Sequence, residues 1–335
     1  MNRQHLLGRQ LESFFHQRLT QQRNATPATI AAYRDAPRLL ALFASEQTGK
    51  KPCALALESL DRDMILAYLE QLERSRGNGI HTRNARLTAI RSFFHHVAAS
   101  DPAAIGIAQR VLAIPSKKSD VSTTDYLSRA QLEMLITAPS SKSPGGRRDR
   151  ALLLFLARTG ARVSEAIGVE AADLSLDGAR PQVLLRGKGR KERVVPLACD
   201  LVAGIYGLLR ERGIGHHERV PLFVGAQGRP LSRFGATHIV RRAVVAASSR
   251  APELTRAPIS PHVFKHSLAM ILLQSDVDLL KIQAWLGHAQ IATTHRYAAA
   301  DAEMMRRGLD KAHIRGSPTA RFRPKYAAHC LLENL

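Results

Sequence analysis

Tyr297 stands nine residues after His288, and the stretch that carries both, Pro258 to Ala299, also holds His262, Lys265 and His266. The i, i+3, i+4, i+7 spacing of His262, Lys265, His266 and Ala269 puts two imidazoles and an ammonium on one face of a helix. A phenol with nitrogen bases and a cation nearby suits attack on a phosphodiester. Because the ordinary tyrosine pKa is about 10, such a phenol needs cationic and hydrogen-bonding neighbours to react at neutral pH. Upstream stretches supply them. TGARVSE places Arg162 after a Thr-Gly turn with Glu165 one helical turn on, and RGKGRKER sets Lys188 in a glycine-flanked turn between two apolar runs.

The elements that must position these groups are legible around them. Ser260 and Pro261 open a helix whose first turn carries His262, where the positive end of the helix dipole favours an anion; His266, one turn on, reads as structural. Asp278 caps a short helix that Gly287 stops, which leaves His288 on the turn beyond. ALLLFLA, 151–157, is so uniformly apolar that it reads as a buried central helix, and Arg162 follows its end. QVLLRGKGRKERVVPL reads as a hairpin of two Val- and Leu-rich strands. Arg186, Lys188, Arg190, Lys191 and Arg193 give it five bases against Glu192. Ser128 caps the first helix of this half, SSKSPGGRR follows as a loop, and helices over Leu201–Arg210 and around His238, Arg241 and Arg242 fill the interval.

The four stretches with Arg162, Lys188, His262 and His288 resemble, in composition and order, the tyrosine recombinase or phage integrase family, whose pattern is TGxRxSE, GKGxKxR, HxxR, GH and a tyrosine about nine residues later. The resemblance spans roughly Leu127 to Ala312. It implies a catalytic set of Arg162, Lys188, His262, Lys265, His288 and Tyr297: Arg162 on a non-bridging phosphate oxygen, Lys188 as general acid to the departing 5′ oxygen, His288 as a donor to the phosphate, and Tyr297 as nucleophile. One position departs from the pattern. Lys265 stands where the family has the arginine of HxxR, and a point charge on a flexible stem does not reproduce a planar fork. The resemblance further implies a mainly α fold with a small antiparallel β-sheet: an N-terminal helical, SAM-like core-binding domain and a C-terminal catalytic domain of the DNA breaking-rejoining type.

The expected boundaries are 1–117 for the helical DNA-binding domain, 118–125 for a polar, basic linker, 126–312 for the catalytic domain and 313–335 for a tail. Within the first, Leu7, Leu11, Phe14 and Phe15 mark one helix. Thr26 and Pro27 open a second that Pro37 kinks, Asp61 caps a third, and a fourth turns Leu87, Ile90, Phe94 and Val97 inward. Arg83, Arg86 and Arg91 lie on its other faces. As a sequence these read as a solvated face slightly ahead of phosphate contacts, and the resemblance reverses that in favour of DNA; Arg186, Arg190 and Lys191 read plainly as a basic hairpin contacting the DNA backbone.

A formal net charge of +21, with arginines from Arg3 to Arg323, favours a polyanionic partner. Double-stranded DNA is the expected partner, with self-association into a tetramer on DNA and possible accessory recombinases implied by the resemblance. No run reaches the roughly 18 apolar residues of a membrane span, and the first residues lack a secretory core, so a cytoplasmic protein is expected. Cys53, Cys199 and Cys330 are isolated, which suggests neither disulfide nor zinc. His216 and His217 read as solvated loop histidines. No cofactor or metal is expected, since the phosphoester bond energy would be kept in a covalent tyrosyl link. A type IB topoisomerase and a recombinase-derived protein that only binds DNA, weakened at Lys265, are the alternative readings.

Overall fold

The computed structural model describes residues 7–118, 126–187, 191–215, 217–255 and 259–287. The chain forms two compact units, Met1–Ser122 and Thr123–Leu335.

The first unit is helical. Its helices are α1 (Leu7–Ser13), which continues as a π-helical segment Phe14–Gln22, α2 (Pro27–Thr48), α3 (Arg62–Arg74), α4 (Ile80–Ser100) and α5 (Ile105–Leu112). The Thr26 hydroxyl accepts from the Thr29 amide and the Asp61 carboxylate from the Met64 amide, so both expected caps are used. Pro37 lies within α2 without ending it. Ile65, Tyr68, Leu69 and Leu72 of α3 and Leu87, Ile90, Phe94 and Val97 of α4 are all buried. Residues 114–117, after α5, pack onto this unit. Ile114 is fully buried, Pro115 O accepts from Arg83, and Asn84 bonds both the carbonyl and the amide of Lys117 at 2.8 and 3.1 Å. Residues 119–125 lie outside the described residues.

The second unit contains α6 (Arg129–Thr137), α7 (Pro144–Thr159), α8 (Val163–Ile167), strands β1 (Leu174–Ser175), β2 (Gln182–Arg186) and β3 (Glu192–Pro196), then α9 (Cys199–Arg212), α10 (Arg233–Ser248), α11 (Pro261–Gln274) and α12 (Leu279–Leu286). The strands form an antiparallel sheet in the order β1-β2-β3, with Val183 opposite Val195 and Leu185 opposite Arg193. Ser128 and Gln131 form a capping box at α6.

α7 is the central helix. Leu152, Leu153, Phe155 and Leu156 are fully buried, and each such side chain contributes about 1.5–3 kcal/mol of transfer free energy. The helix begins earlier than the sequence suggested, taking in Pro144–Arg148 of the expected loop. Ser143 caps it by accepting from Gly146 N, and Pro144 sits in the first turn, where its missing N–H costs nothing. Gly146 is required there, because a Cβ would come within 1.9 Å of Ser140 O. At the other end Gly160 takes φ +61°, and a Cβ on it would meet Leu286 of α12 at 2.5 Å and Leu268 of α11 at 3.1 Å. That contact presses the α7 terminus onto α11 and α12, whose own small core is Leu268, Ala269, Met270, Leu273, Ile282 and Leu286.

Candidate active site

A buried carboxylate gathers the cations of the second unit. Glu165 lies in α8, its side chain 3% exposed. One of its oxygens accepts from the Arg162 guanidinium at 2.7 Å; the other accepts from the Arg162 backbone amide at 2.8 Å and from Arg193 of β3 at 2.7 Å. Burial alone would raise the carboxyl's pKa, but the bonds from Arg193 and from Arg162 outweigh it and hold the value at about 2. Glu165 is therefore ionised at every physiological pH and fixes both guanidiniums.

Arg162 precedes α8 with an extended backbone, φ −66° and ψ 149°, so its side chain leaves the turn toward the C-terminus of α12. There it donates to Gly287 O at 3.2 Å and stays partly exposed. A guanidinium has five N–H donors, so others remain for a ligand. Asp278 caps α12 by accepting from the Leu280 and Lys281 amides, and Gly287 ends it at φ +62°. Three consecutive carbonyls at that end each take a cation: Trp285 from Arg193 at 2.9 Å, Leu286 from the Lys265 ammonium, and Gly287 from Arg162. Cations at a helix C-terminus oppose the negative end of its dipole.

α11 supplies the rest. His262 stands in its first turn and is exposed, Lys265 is 4% exposed, and His266 is half-buried. The two imidazoles lie with ring centroids 6.5 Å apart. Burial lowers the Lys265 pKa to about 7, repulsion from Arg162 and Arg193 adds to it, and Glu165 opposes it. Although its side chain is exposed at the surface, partial desolvation of the ring by its neighbours lowers the His262 pKa, and the charges of Lys265, Arg162 and Arg233 of α10 push it further down. Burial, His262 and Lys265 do the same to His266. Each shift disfavours the imidazolium form beside the neighbouring cations.

The structure therefore brings together Arg162, His262 and Lys265. Lys188, Arg190, His288 and Tyr297 lie outside the described residues, as do His216, Cys330 and the tail; the last described residues before Lys188 and before His288 are Gly187 and Gly287, both at the Glu165 cluster. The helix face read from the spacing is corrected in one respect: Lys265 points inward onto Leu286 O and is not displayed beside the imidazoles. Sequence reasoning gave Arg193 no role of its own. A signal was present, since Arg193 shares strand parity with buried Val195 and so faces inward.

The arginines expected to touch DNA are mostly engaged by the protein. Arg83 is 4% exposed, bonds Asn84 and Pro115 O, and faces Glu73. Arg91 donates to Ile114 O and Ser116 Oγ. Arg186 pairs with Asp173 at 2.6 Å and Glu192 at 3.2 Å. Arg86 is half-buried and Lys191 exposed. Cys53 and Cys199 are free thiols, no cluster of metal-ligating side chains occurs among the described residues, and no described helix is long and apolar enough to cross a membrane.

The second unit, helical with a three-stranded sheet, gathers two guanidiniums and an ammonium around one ionised carboxylate, with the His262 imidazole nearby, an arrangement chemically suited to a phosphate-like anion. Comparison with known proteins makes that class specific. The phage integrase family model matches residues 125–304. A putative integrase/recombinase, y4rD, of Sinorhizobium fredii is 61% identical over 263 residues, 78% of this chain and 94% of that protein. Tyrosine recombinase XerC of Pelobacter propionicus is 33% identical over 303 residues, 89% of this chain and 93% of its own length. The chain belongs to the phage integrase family, that of the tyrosine recombinases. Two solved structures share the fold: XerH site-specific recombinase bound to palindromic difH substrate, with TM-score 0.68, 22% identity and coverage of 90% of this chain and 84% of that one, and the Tn1549 transposon integrase with a circular intermediate DNA, with TM-score 0.67, 17% identity and coverage of 89% and 98%.

Proposed function

We propose that this protein is a site-specific DNA recombinase of the integrase or transposase type, with Tyr297 as its nucleophile. The observation that carries the reading is the meeting of Arg162 and Lys265 at the C-terminus of α12, two residues or fewer before His288, with His262 near enough to feel both charges, in a chain of this family. The scissile phosphate sits against Arg162 and His262, with the Lys265 ammonium behind them, and His288 donates to the same phosphate. The Tyr297 phenol gives up its proton to solvent and its oxygen attacks phosphorus. The bond to the 5′ oxygen breaks, and Lys188 protonates the departing alcohol, leaving a 3′-phosphotyrosyl link and a free 5′ hydroxyl. A 5′ hydroxyl of a partner strand, its proton passing to Lys188, then attacks the link, restores the phosphodiester and releases the Tyr297 phenolate, which takes back a proton from solvent. Charge that grows on the phosphorane oxygens is met by fixed donors, where such stabilisation has its largest effect on rate.

The expected assembly is a tetramer on paired double-stranded DNA in the cytoplasm, with accessory recombinases as further candidates. Arg86, Arg190 and Lys191 are the proposed backbone contacts; Arg83, Arg91 and Arg186 would have to leave protein partners to join them.

The test uses a nicked duplex whose 5′ fragment diffuses away after cleavage, incubated with wild type and Tyr297→Phe. A covalent adduct formed by the wild type and absent from the phenylalanine variant is the expected result. No adduct from either protein across a broad sequence library would favour a chain that only binds DNA, and relaxation without exchange between two duplexes would favour a topoisomerase.

A further inference from the structure

From β3, Arg193 reaches Glu165 of α8 and the C-terminal end of α12. Its guanidinium is 12% exposed, and it donates to Glu165 at 2.7 Å and to Trp285 O at 2.9 Å. It also lies flat against Gly287: a Cβ at that position would be 2.9 Å from Arg193 Nη1 and 3.1 Å from its Cδ and Cζ. On the other side Gly187, whose amide closes the β2–β3 turn by donating to Lys191 O at 2.7 Å, packs on the same pair. A Cβ there would stand 3.0 Å from Glu165 Oε1 and 3.9 Å from Arg193 Nη1. Gly187 precedes Lys188, and Gly287 precedes His288 and the run to Tyr297. Two glycines, one before Lys188 and one before His288, thus come within van der Waals reach of one Glu–Arg pair.

We propose that Arg193 is a positioning residue of this site, joining Glu165 to the C-terminus of α12 so that the turn carrying Lys188 and the exit leading to His288 and Tyr297 are both referenced to Arg162. The inference rests on the recombinase reading for its effect on rate, and on geometry alone for its effect on local order. Arg193 does not touch the phosphate. Its Nε and Nη2 donate to Trp285 O and Glu165, Gly287 packs close to Nη1, and the side chain is only 12% exposed.

The experiment compares full-length wild type, Arg193→Gln and Arg193→Lys by three measurements. These are single-turnover cleavage of the nicked duplex, DNA affinity as a function of salt, and amide hydrogen exchange over Trp285–Gly287 and at Gly187. Arg193→Gln should cut the cleavage rate by about 10²-fold, as expected for a sub-ångström to 1 Å displacement of reacting groups, while affinity stays within about threefold and the salt slope is unchanged. Exchange should quicken in those two segments and not in α7. Arg193→Lys, which keeps the charge and one of the two bonds, should recover part of the rate, and it carries the test by itself should the glutamine variant not fold. A loss of affinity matched by a salt slope lower by about 0.9 would make Arg193 a phosphate ligand and overturn the proposal. Unchanged exchange at Gly187 and Trp285–Gly287 would overturn it as well. If the wild type itself forms no adduct, the recombinase reading fails by that result, and the exchange data still decide the role of Arg193.

Discussion

At the scale of single residues, the departure at Lys265 has a consequence that an arginine would not bring. The ammonium is buried, donates to Leu286 O, and faces Arg162 and Arg193 with only Glu165 of opposite sign, so its pKa falls to about 7. Below that value it carries its charge; as pH rises through it, the free enzyme loses a cation from the site. An arginine stays charged throughout. The apparent second-order cleavage rate, which reports groups of the free enzyme, should therefore decline above about pH 7 in the wild type and persist at higher pH in Lys265→Arg. Lys265→Ala should cleave slower by orders of magnitude at pH 6.5, with affinity nearly unchanged. Matching pH profiles for wild type and Lys265→Arg would remove the ammonium from the reaction. The same shift has a stability sign. Between about 7 and the ordinary lysine value the unfolded chain binds more protons than the folded one, so this residue makes the fold stronger as pH rises across that window. Glu165 acts at the other extreme: its value of about 2 lies below the unfolded one, and the stability it contributes is lost only as pH falls from the ordinary carboxylate range toward 2.

At the scale of elements, short-range signals were readable and long-range reasons were not. Thr26, Asp61, Ser128 and Asp278 cap the helices whose starts they mark, because a cap is a contact over two or three residues. The apolar run 151–157 gave the central helix and GKG the hairpin. The start of α7 at Pro144 was missed because Gly-Gly reads as a loop; only the tertiary approach of Ser140 O explains why a helix needs Gly146. The candidate site divides the same way. Family spacing pointed to Arg162, His262 and Lys265, whereas the inward turn of Lys265 and the place of Arg193 depend on α12, 21 and 92 residues away. The Thr-Gly turn before Arg162 was visible, yet its function in packing was not. Gly160 holds φ +61° against Leu286 and Leu268, so Gly160→Ala combines the left-handed penalty of about 1–2 kcal/mol with overpacking of about 1–3 kcal/mol. Urea unfolding should register the sum as a lower midpoint with an unchanged m-value. A midpoint equal to wild type would mean that α12 does not press on that turn.

At the scale of the whole molecule, the charge of +21 is spent in two ways that a sequence cannot separate. Some cations serve the fold. Arg83, Arg91 and Lys117 bind residues 114–117 and Glu73 within the first unit, and Arg148 and Arg242 converge on Asp149, 2% exposed, in the second. Others, such as Lys191 and Arg233, stay exposed and can release counterions from DNA. Salt separates the two populations, since each phosphate contact contributes about 0.9 to the slope of log affinity against log salt concentration. Lys191→Ala should flatten that slope by about 0.9 and leave thermal stability unchanged, as an exposed ammonium on a hairpin makes little net contribution to folding. Arg83→Ala should do the reverse. It leaves the slope in place and costs about 1–3 kcal/mol, because it strips a buried donor from Pro115 O and a cation from Glu73. A flattened slope for Arg83→Ala, with no loss of stability, would mean that this guanidinium leaves its protein partners for the duplex, and the first unit would then meet DNA through α4.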